Sequence, residues 1–582
     1  VNALAPRYDK VIKGGMVIDG QMVPRRRADV AIKDGKVAEI GRVPSTDAAE
    51  VLDASGMIVA PGFVDLHTHY DCAFFYDPWC SLSGWHGVTS VAIGNCGFGF
   101  APAREGDRDY LMRTLTRVEA IPREVMELSL PWTWESFPEW MDALDATPKG
   151  VNALTYVPLN PLLVYVMGLD AAKDRDATDE ERAEMCRLLD EAMAAGACGW
   201  SAQRTAPGSG YDVQRDHDGT PFATDLMSNE TAIALARVLR NYPHAFIQTL
   251  IAQQGDRTGK DPQSADNAKN AVRQHLEELA AVSDSAIILN AITTDSRTPN
   301  NHRQALAWMK DARDRGLKIY PQCVTSGGGF TWSFADGWNM FDDAETWRDA
   351  TMGTTEERIA KLTDPARRHA FKTDRPKVLP VETITVLKPY DPRFLPAKNC
   401  RLVDAAKIMG YDDPIDLMLD MCQADQGRTL LQSPALNDDE TLVPELVTSP
   451  FSLWGVSDGG AHQKFLTAGA FTTDGIIKWV REQEIVSLEE AHYRMSTLPA
   501  HCAGFKHRGK LIEGAPADVV VYDYENLTLL PDEVAYDLPG GDWRRIQKAE
   551  GYRYTIVNGE VTFEDGKCTE ATPGRLLRHG EG

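Results

Sequence analysis

Residues 62–71, GFVDLHTHYD, place two histidines, His67 and His69, one residue apart at the end of an apolar run. Alternate side chains of an extended backbone leave on the same side, so both imidazoles face one way. Two converging neutral imidazoles suit a divalent cation. An isolated His-x-His is also a common surface pair. Here Pro61 and Gly62 stand in front and Asp65 lies two residues before the first histidine, which argues for a built site. A matching acidic strand end occurs far along the chain, at Asp458 in WGVSDGGAH. A carboxylate beside a cation can ligate it or take a proton from the water it activates, so Asp458 is both candidate ligand and candidate general base. Cys96, in GVTSVAIGNCGFG, ends another strand-like run. Its thiolate could ligate or bridge cations, although a lone cysteine in a glycine-rich turn also serves as a small buried hydrophobe.

These residues meet only if the elements between them bring their strand ends to one rim. Apolar strand-like segments at 57–69, 90–96, 152–159, 197–202, 244–250, 286–292, 317–323 and 451–457 alternate with helical stretches. Thr178 and Glu181 form a capping box ahead of one helix and Gly196 follows its end, while 264–282 and 302–315 are amphipathic. Eight alternations predict an α/β fold, a (β/α)8 TIM-like barrel whose chemistry sits at the strand C-termini; a doubly wound sheet is the other arrangement. On a closed barrel the first and eighth strands are neighbours, which would bring His67, His69 and Asp458 together, with Cys96 next door on the second strand.

Residues 8–55 read as short strands with an Asp34-Gly35 hairpin turn, and similar material returns at the far end around Asn558-Gly559. Either end alone is too small to bury a core, so the two are expected to form one β-sandwich. The expected boundaries are 1–57 and 505–582 for the sandwich and 58–504 for the barrel. An insertion at 325–450 separates the seventh and eighth strands, as a lid, a substrate pocket or a peripheral decoration.

The 582 residues carry 85 acidic and 61 basic side chains, a net charge of -24, which argues against nucleic acid or an anionic membrane as partner. No apolar run has the length of a membrane span, and VNALAPRYDK lacks a signal-peptide pattern. The ten cysteines show no C-x-x-C and no regular framework, which fits reduced thiols in a cytoplasmic protein. No heptad or interface stripe sets an oligomeric state.

GFVDLHTHYD, HGVTSVAIGNCGFGFAP, the SDGG strand and the tail MSTLPAHCAGFKHRGKLIEGAPADVVVYD together resemble the amidohydrolase superfamily, in its branch of N-acyl-D-amino-acid deacylases (D-aminoacylases). The likeness is strong over 55–104 and 451–523 and diffuse between. It implies a zinc-dependent hydrolase with a barrel and a β-sandwich, ligand roles for His67, His69 and Cys96, and an essential base role for Asp458. The chain departs from that branch where the fifth and sixth strands would each end in a metal-binding histidine. FIQTL and IILNAI place Gln248 and Asn290 there instead, and amides are poor replacements for imidazoles on zinc. One zinc ion is therefore expected rather than two; a second site on other ligands, or lost activity, are the alternatives.

Gln248 and Asn290 then become candidate substrate-binding amides. Arg204, just past the fourth strand, is placed to grip a substrate carboxylate. His217 and His462 lie in loops on the same face and could reach substrate or donate a proton to a leaving group; His86, before the second strand, belongs to the opposite rim. Trp200, Phe330, Trp332 and Trp338 hint at an aromatic-lined mouth or at lid packing. The expected reaction is hydrolysis of a linear amide of a small molecule, such as an N-acyl amino acid, D-configured ones included, by metal-activated water with Asp458 as base. Hydrolysis of a cyclic amide, lactone or ester, and a non-catalytic binding protein on a decayed barrel, are the competing readings.

Overall fold

In a computed structural model, residues 5–204, 214–250, 262–337, 339–434 and 436–579 are described. Eight parallel strand positions form the barrel. Strand one (Phe63–Asp65) pairs with strand two (Val88–Ile93), and strand two with strand three (Asn152–Thr155). Strand three resumes after Tyr156 as Val157–Pro158 and passes the ladder to strand four (Gly199–Gln203). Strands five (Phe246–Leu250), six (Ala286–Ile292) and seven (Ile319–Cys323) follow in order, then strand eight (Leu453–Trp454). A parallel bridge between Thr68 and Gly459 closes the ring. The close approach depends on Gly460, whose φ is +92° and where a Cβ would sit 2.5 Å from the His69 carbonyl oxygen.

The first strand differs from its expected span of 57–69. Ile58–Pro61 belongs to a different sheet, and only Phe63–Asp65 enters the barrel. Gly62 divides them: a Cβ there would lie 2.2 Å from Thr89, so only glycine lets the chain pass that close to strand two. Cys96 likewise lies beyond its strand, in a short turn at Asn95–Gly97.

The two ends of the chain share one nine-stranded sheet. Ile58–Pro61 pairs with Tyr8–Val17 on one side and, antiparallel, with Val519–Tyr522 on the other. The apolar side chains of this curled sheet, among them Ile12, Val30, Val59, Val519 and Ile556, bury one another as the inner layer of a sandwich. Both expected hairpins are present. Asp34-Gly35 has φ of +50° and +73° and Asn558-Gly559 has +47° and +85°, the left-handed pair that a two-residue turn needs to match strand twist.

The helix expected after Thr178 spans Asp179–Ala194 with its capping box formed, and the amphipathic stretches fold as Pro262–Ser283 and Asn301–Asp314. Between strands seven and eight, the 325–450 segment builds a core of its own around Phe341, Trp347, Phe371 and Met418, beside a small antiparallel sheet in which Leu430–Gln432 is central. Among the described residues no helix is long and apolar enough to cross a membrane.

Candidate metal centre

The turn after strand one is held on both sides. Thr68 donates from its amide and its hydroxyl to the Ala92 carbonyl, and the His69 amide donates to Gly459 at 2.6 Å. Asp65 accepts from the His67 amide at 3.1 Å. These bonds fix the backbone, so both imidazoles are buried and turned toward the barrel axis. His67 Nε2 lies 3.1 Å from Asp458 Oδ1 and 3.6 Å from Cys96 Sγ, and His69 Nε2 lies 3.8 Å from the same Asp458 oxygen. The donor atoms of His67, His69 and Cys96 all fall within 4.8 Å of one another.

Cys96 and Asp458 have φ of +57° and +48°, a region that non-glycine residues rarely occupy. Asn95 holds the Cys96 turn by donating to the Thr68 and Ala92 carbonyls, and Gly97 donates to Ser201 on strand four. Burial alone would raise the Cys96 thiol. The charge of His67, its hydrogen bond to Sγ and the charge of His69 outweigh it and hold the thiol below its ordinary value. Asp458 is likewise held well below the usual carboxylate range: burial acts upward, but the hydrogen bond and charge of His67, with the charges of His462 and His69, act more strongly. Asp458 keeps a quarter of its side chain exposed.

Gln248 and Asn290 are brought to the same place. Gln248 accepts from the Cys96 amide at 2.6 Å and donates to Asn290 Oδ1, and their amide nitrogens stand 4.0 and 3.9 Å from Cys96 Sγ. Both side chains are buried, and these contacts are with Cys96 and with each other.

His462 is near as well, but through a residue that the sequence reading did not single out. Its amide donates to the Glu119 carbonyl at 2.7 Å and its Nε2 lies 3.3 Å from Glu119 Oε2, which is 3.5 Å from His69 Nε2. Glu119 ends the helix Arg108–Glu119 and is buried. No spacing motif marks it. The only signal was an acidic residue closing a helix in an apolar setting, where a basic one is expected.

Two candidates do not join the cluster. Arg204 was expected to hold a substrate carboxylate. Its terminal nitrogens are instead committed to His275 Nε2 at 2.6 Å, the Met227 carbonyl at 2.8 Å and Asn229 Oδ1 at 2.6 Å, which ties together the starts and faces of neighbouring helices. His217 pairs with the buried Asp216 at 3.1 Å and meets Tyr110 edge-on. It lines a cavity of about 570 Å³ between the helix Arg108–Glu119 and the insertion, with Arg117, Arg358 and Lys464. His86 sits away from the cluster, bonded to Thr473 and to the Gln547 carbonyl of the C-terminal segment. Trp200 is buried in the barrel wall, Trp332 packs inside the insertion against Phe334 and Phe341, and Phe330 stands edge-on to His462. Trp338 lies outside the described residues.

The donor set fits zinc. His69 Nε2 is buried without a hydrogen-bond partner although Cys96, Asp458 and Glu119 surround it, and two imidazoles with one thiolate make a three-ligand set of the kind that leaves a position open.

A sequence profile of the amidohydrolase family matches residues 50–563. An uncharacterised protein of Mycobacterium tuberculosis is 28% identical over 99% of this chain and 96% of its own length. N-acyl-D-aspartate deacylase of Alcaligenes xylosoxydans xylosoxydans is 27% identical over 98% of the chain and 95% of that enzyme. Among solved structures, D-aminoacylase superposes with a TM-score of 0.66 at 21% identity, covering 98% of this chain and all of its own. N-acyl-D-glutamate deacylase of Bordetella bronchiseptica, complexed with zinc and a phosphonate inhibitor, does so with 0.65 at 24% identity over the same shares.

Proposed function

The chain belongs to the amidohydrolase family, and from that premise we propose that it is a zinc-dependent hydrolase of a linear amide in a small N-acyl amino acid, with D-configured substrates first among those to be tried. The observation that carries this reading is the convergence of His67, His69 and Cys96 donors within 4.8 Å of one another, with Asp458 3.1 Å from His67. Bound there, one zinc ion would polarise the acyl carbonyl and acidify water beside it.

The protein groups have separate tasks. Asp458, 3.1 Å from His67 and a quarter exposed, receives a proton from the attacking water and can return it to the departing amine. Gln248 and Asn290 present N–H groups to Cys96 Sγ, which stabilise thiolate charge without a second cation; this supports one ion rather than two. The cavity beside the helix Arg108–Glu119 is lined by Arg113, Arg117, Arg123, Arg358 and Lys464, of which Arg113, Arg117, Arg123 and Lys464 are paired with Asp109, Asp342, Glu127, Asp336 and Asp542. A substrate carboxylate there would have to exchange for one of these acidic partners. The relatives named as N-acyl-D-aspartate and N-acyl-D-glutamate deacylases point to the same class.

The test is metal content after purification without chelator, followed by a hydrolysis screen of N-acyl-D- and N-acyl-L-amino acids, hydantoins and lactones, with zinc removed and restored. Stoichiometric zinc and zinc-dependent release of a free amino acid support the proposal. A chain that takes up no transition metal, or that opens only cyclic substrates, refutes it.

A further inference from the structure

The centre contains an anion that its three-ligand set does not use. Glu119 is the last residue of the helix Arg108–Glu119, at the end where unpaired carbonyls carry partial negative charge. A carboxylate is disfavoured there, and burying it adds a desolvation cost unless a cation compensates. The helix end is nevertheless pinned so that this side chain enters the barrel mouth: the Glu119 carbonyl accepts from the His462 amide, and Ala120 reverses the chain with a φ of +51°. Glu119 Oε2 then lies 3.5 Å from the unpartnered His69 Nε2 and 3.3 Å from His462 Nε2. Two donors each about 2.0–2.2 Å from a shared tetrahedral ion stand about 3.3–3.6 Å apart. The His69–Glu119 separation has that value, as does the 3.6 Å between His67 Nε2 and Cys96 Sγ.

We propose that Glu119 is a metal ligand of this centre: its Oε2, oriented by His462, binds the ion received by His67, His69 and Cys96, from the His69 side. This inference rests on the zinc reading above and adds to it. An oxygen donor from the helix after strand two thereby adds to the centre from the His69 side, while strands five and six offer the amides Gln248 and Asn290 at Cys96. It also divides the labour between the two carboxylates. With Glu119 as donor, Asp458 need not hold the ion and is free to move protons, and water would join by expansion of the four-ligand set.

The test is metal binding rather than turnover. Zinc affinity is measured by chelator competition, and the cobalt-substituted protein by visible absorption, for the wild type, Glu119→Gln, Glu119→Asp and His462→Asn, with far-UV circular dichroism of each apo form. Glu119→Gln is expected to weaken zinc at least about tenfold and to change the cobalt ligand-field bands while the thiolate-to-cobalt band of Cys96 persists. Glu119→Asp should recover part of the affinity, and His462→Asn should weaken it less than Glu119→Gln does. Should Glu119→Gln fail to fold, an affinity of Glu119→Asp below that of the wild type supports the assignment, and an unchanged one overturns it. Wild-type affinity and an unchanged cobalt spectrum in Glu119→Gln overturn the ligand assignment alone. A wild-type chain that takes up no transition metal overturns this assignment together with the hydrolase reading.

Discussion

Asp458 and His67 are 3.1 Å apart, and that contact makes a sharp prediction. In Asp458→Asn the side chain keeps its shape and loses the proton acceptor, so turnover should fall by about 10²–10⁴. Zinc content should stay near that of the wild type. Steady-state kinetics beside elemental analysis check both, and activity within a few fold of wild type would remove the base role. Gln248 makes a second prediction. Its Oε1 accepts the Cys96 amide and its Nε2 faces Sγ, so Gln248→Ala leaves a buried N–H unpaired and the thiolate less well held. Stability should drop by about 1–3 kcal/mol in urea titration, and zinc affinity with it. At this scale the sequence was readable where the signal is local. His67, His69, Cys96 and Asp458 each follow a recognisable strand within a few residues, and the structure brings the four together. Glu119 was invisible because its place depends on how a helix packs, not on its neighbours in the chain. Arg204 shows the same limit: a cation just past a strand reads alike in the sequence whatever its terminal nitrogens meet, here His275, Met227 and Asn229.

Strands and helices followed the sequence closely because glycine turns and capping residues punctuate them. The division of the first strand at Gly62 was not legible, since an unbroken apolar run does not show that its two halves serve different sheets. That division creates a seam between barrel and terminal sheet, and two buried histidines sit on it. His492 stacks on Phe63 at 5.2 Å and bonds Tyr522 at 2.8 Å, while His86 bonds Thr473 and the Gln547 carbonyl. Burial depresses both, His86 to about 4 and His492 to about 3. The unfolded chain binds their protons near pH 6.5 and the folded one does not, so stability is lost as pH falls from about 6.5 toward 4. For His86 the loss reaches about 3 kcal/mol at the lower end. The check is the urea midpoint against pH. His86→Gln should be less stable than wild type at neutral pH and should show a shallower decline on acidification. An identical slope in the variant would mean that His86 does not titrate in this way.

In the whole molecule, one carboxylate joins the two layers. Asp518 accepts from Asn152 on strand three at 3.2 Å, from the Asn558 amide at 2.8 Å and from Arg508, and all of these partners are at least half-buried. Removing one member of such a buried pair leaves the other charge unpaired, at a cost of about 3–5 kcal/mol. Asp518→Ala should therefore lower the urea midpoint, with far-UV and near-UV signals still coincident because sheet and barrel share this contact. Two separated transitions would show that the layers are held together elsewhere.

The sheet shared by both ends also sets a timetable for the nascent chain. Ile58–Pro61 finds Tyr8–Val17 soon after both are made, but its other edge waits for Val519–Tyr522. Translation at about 5–20 residues per second makes that wait roughly 20–90 s. Through that interval a buried apolar strand, Ile-Val-Ala-Pro, offers an open hydrogen-bonding edge while the whole barrel is being made. Production of this protein should accordingly be limited by capture of that edge during synthesis, and a slower elongation rate should lower the yield of folded chain unless a chaperone covers it.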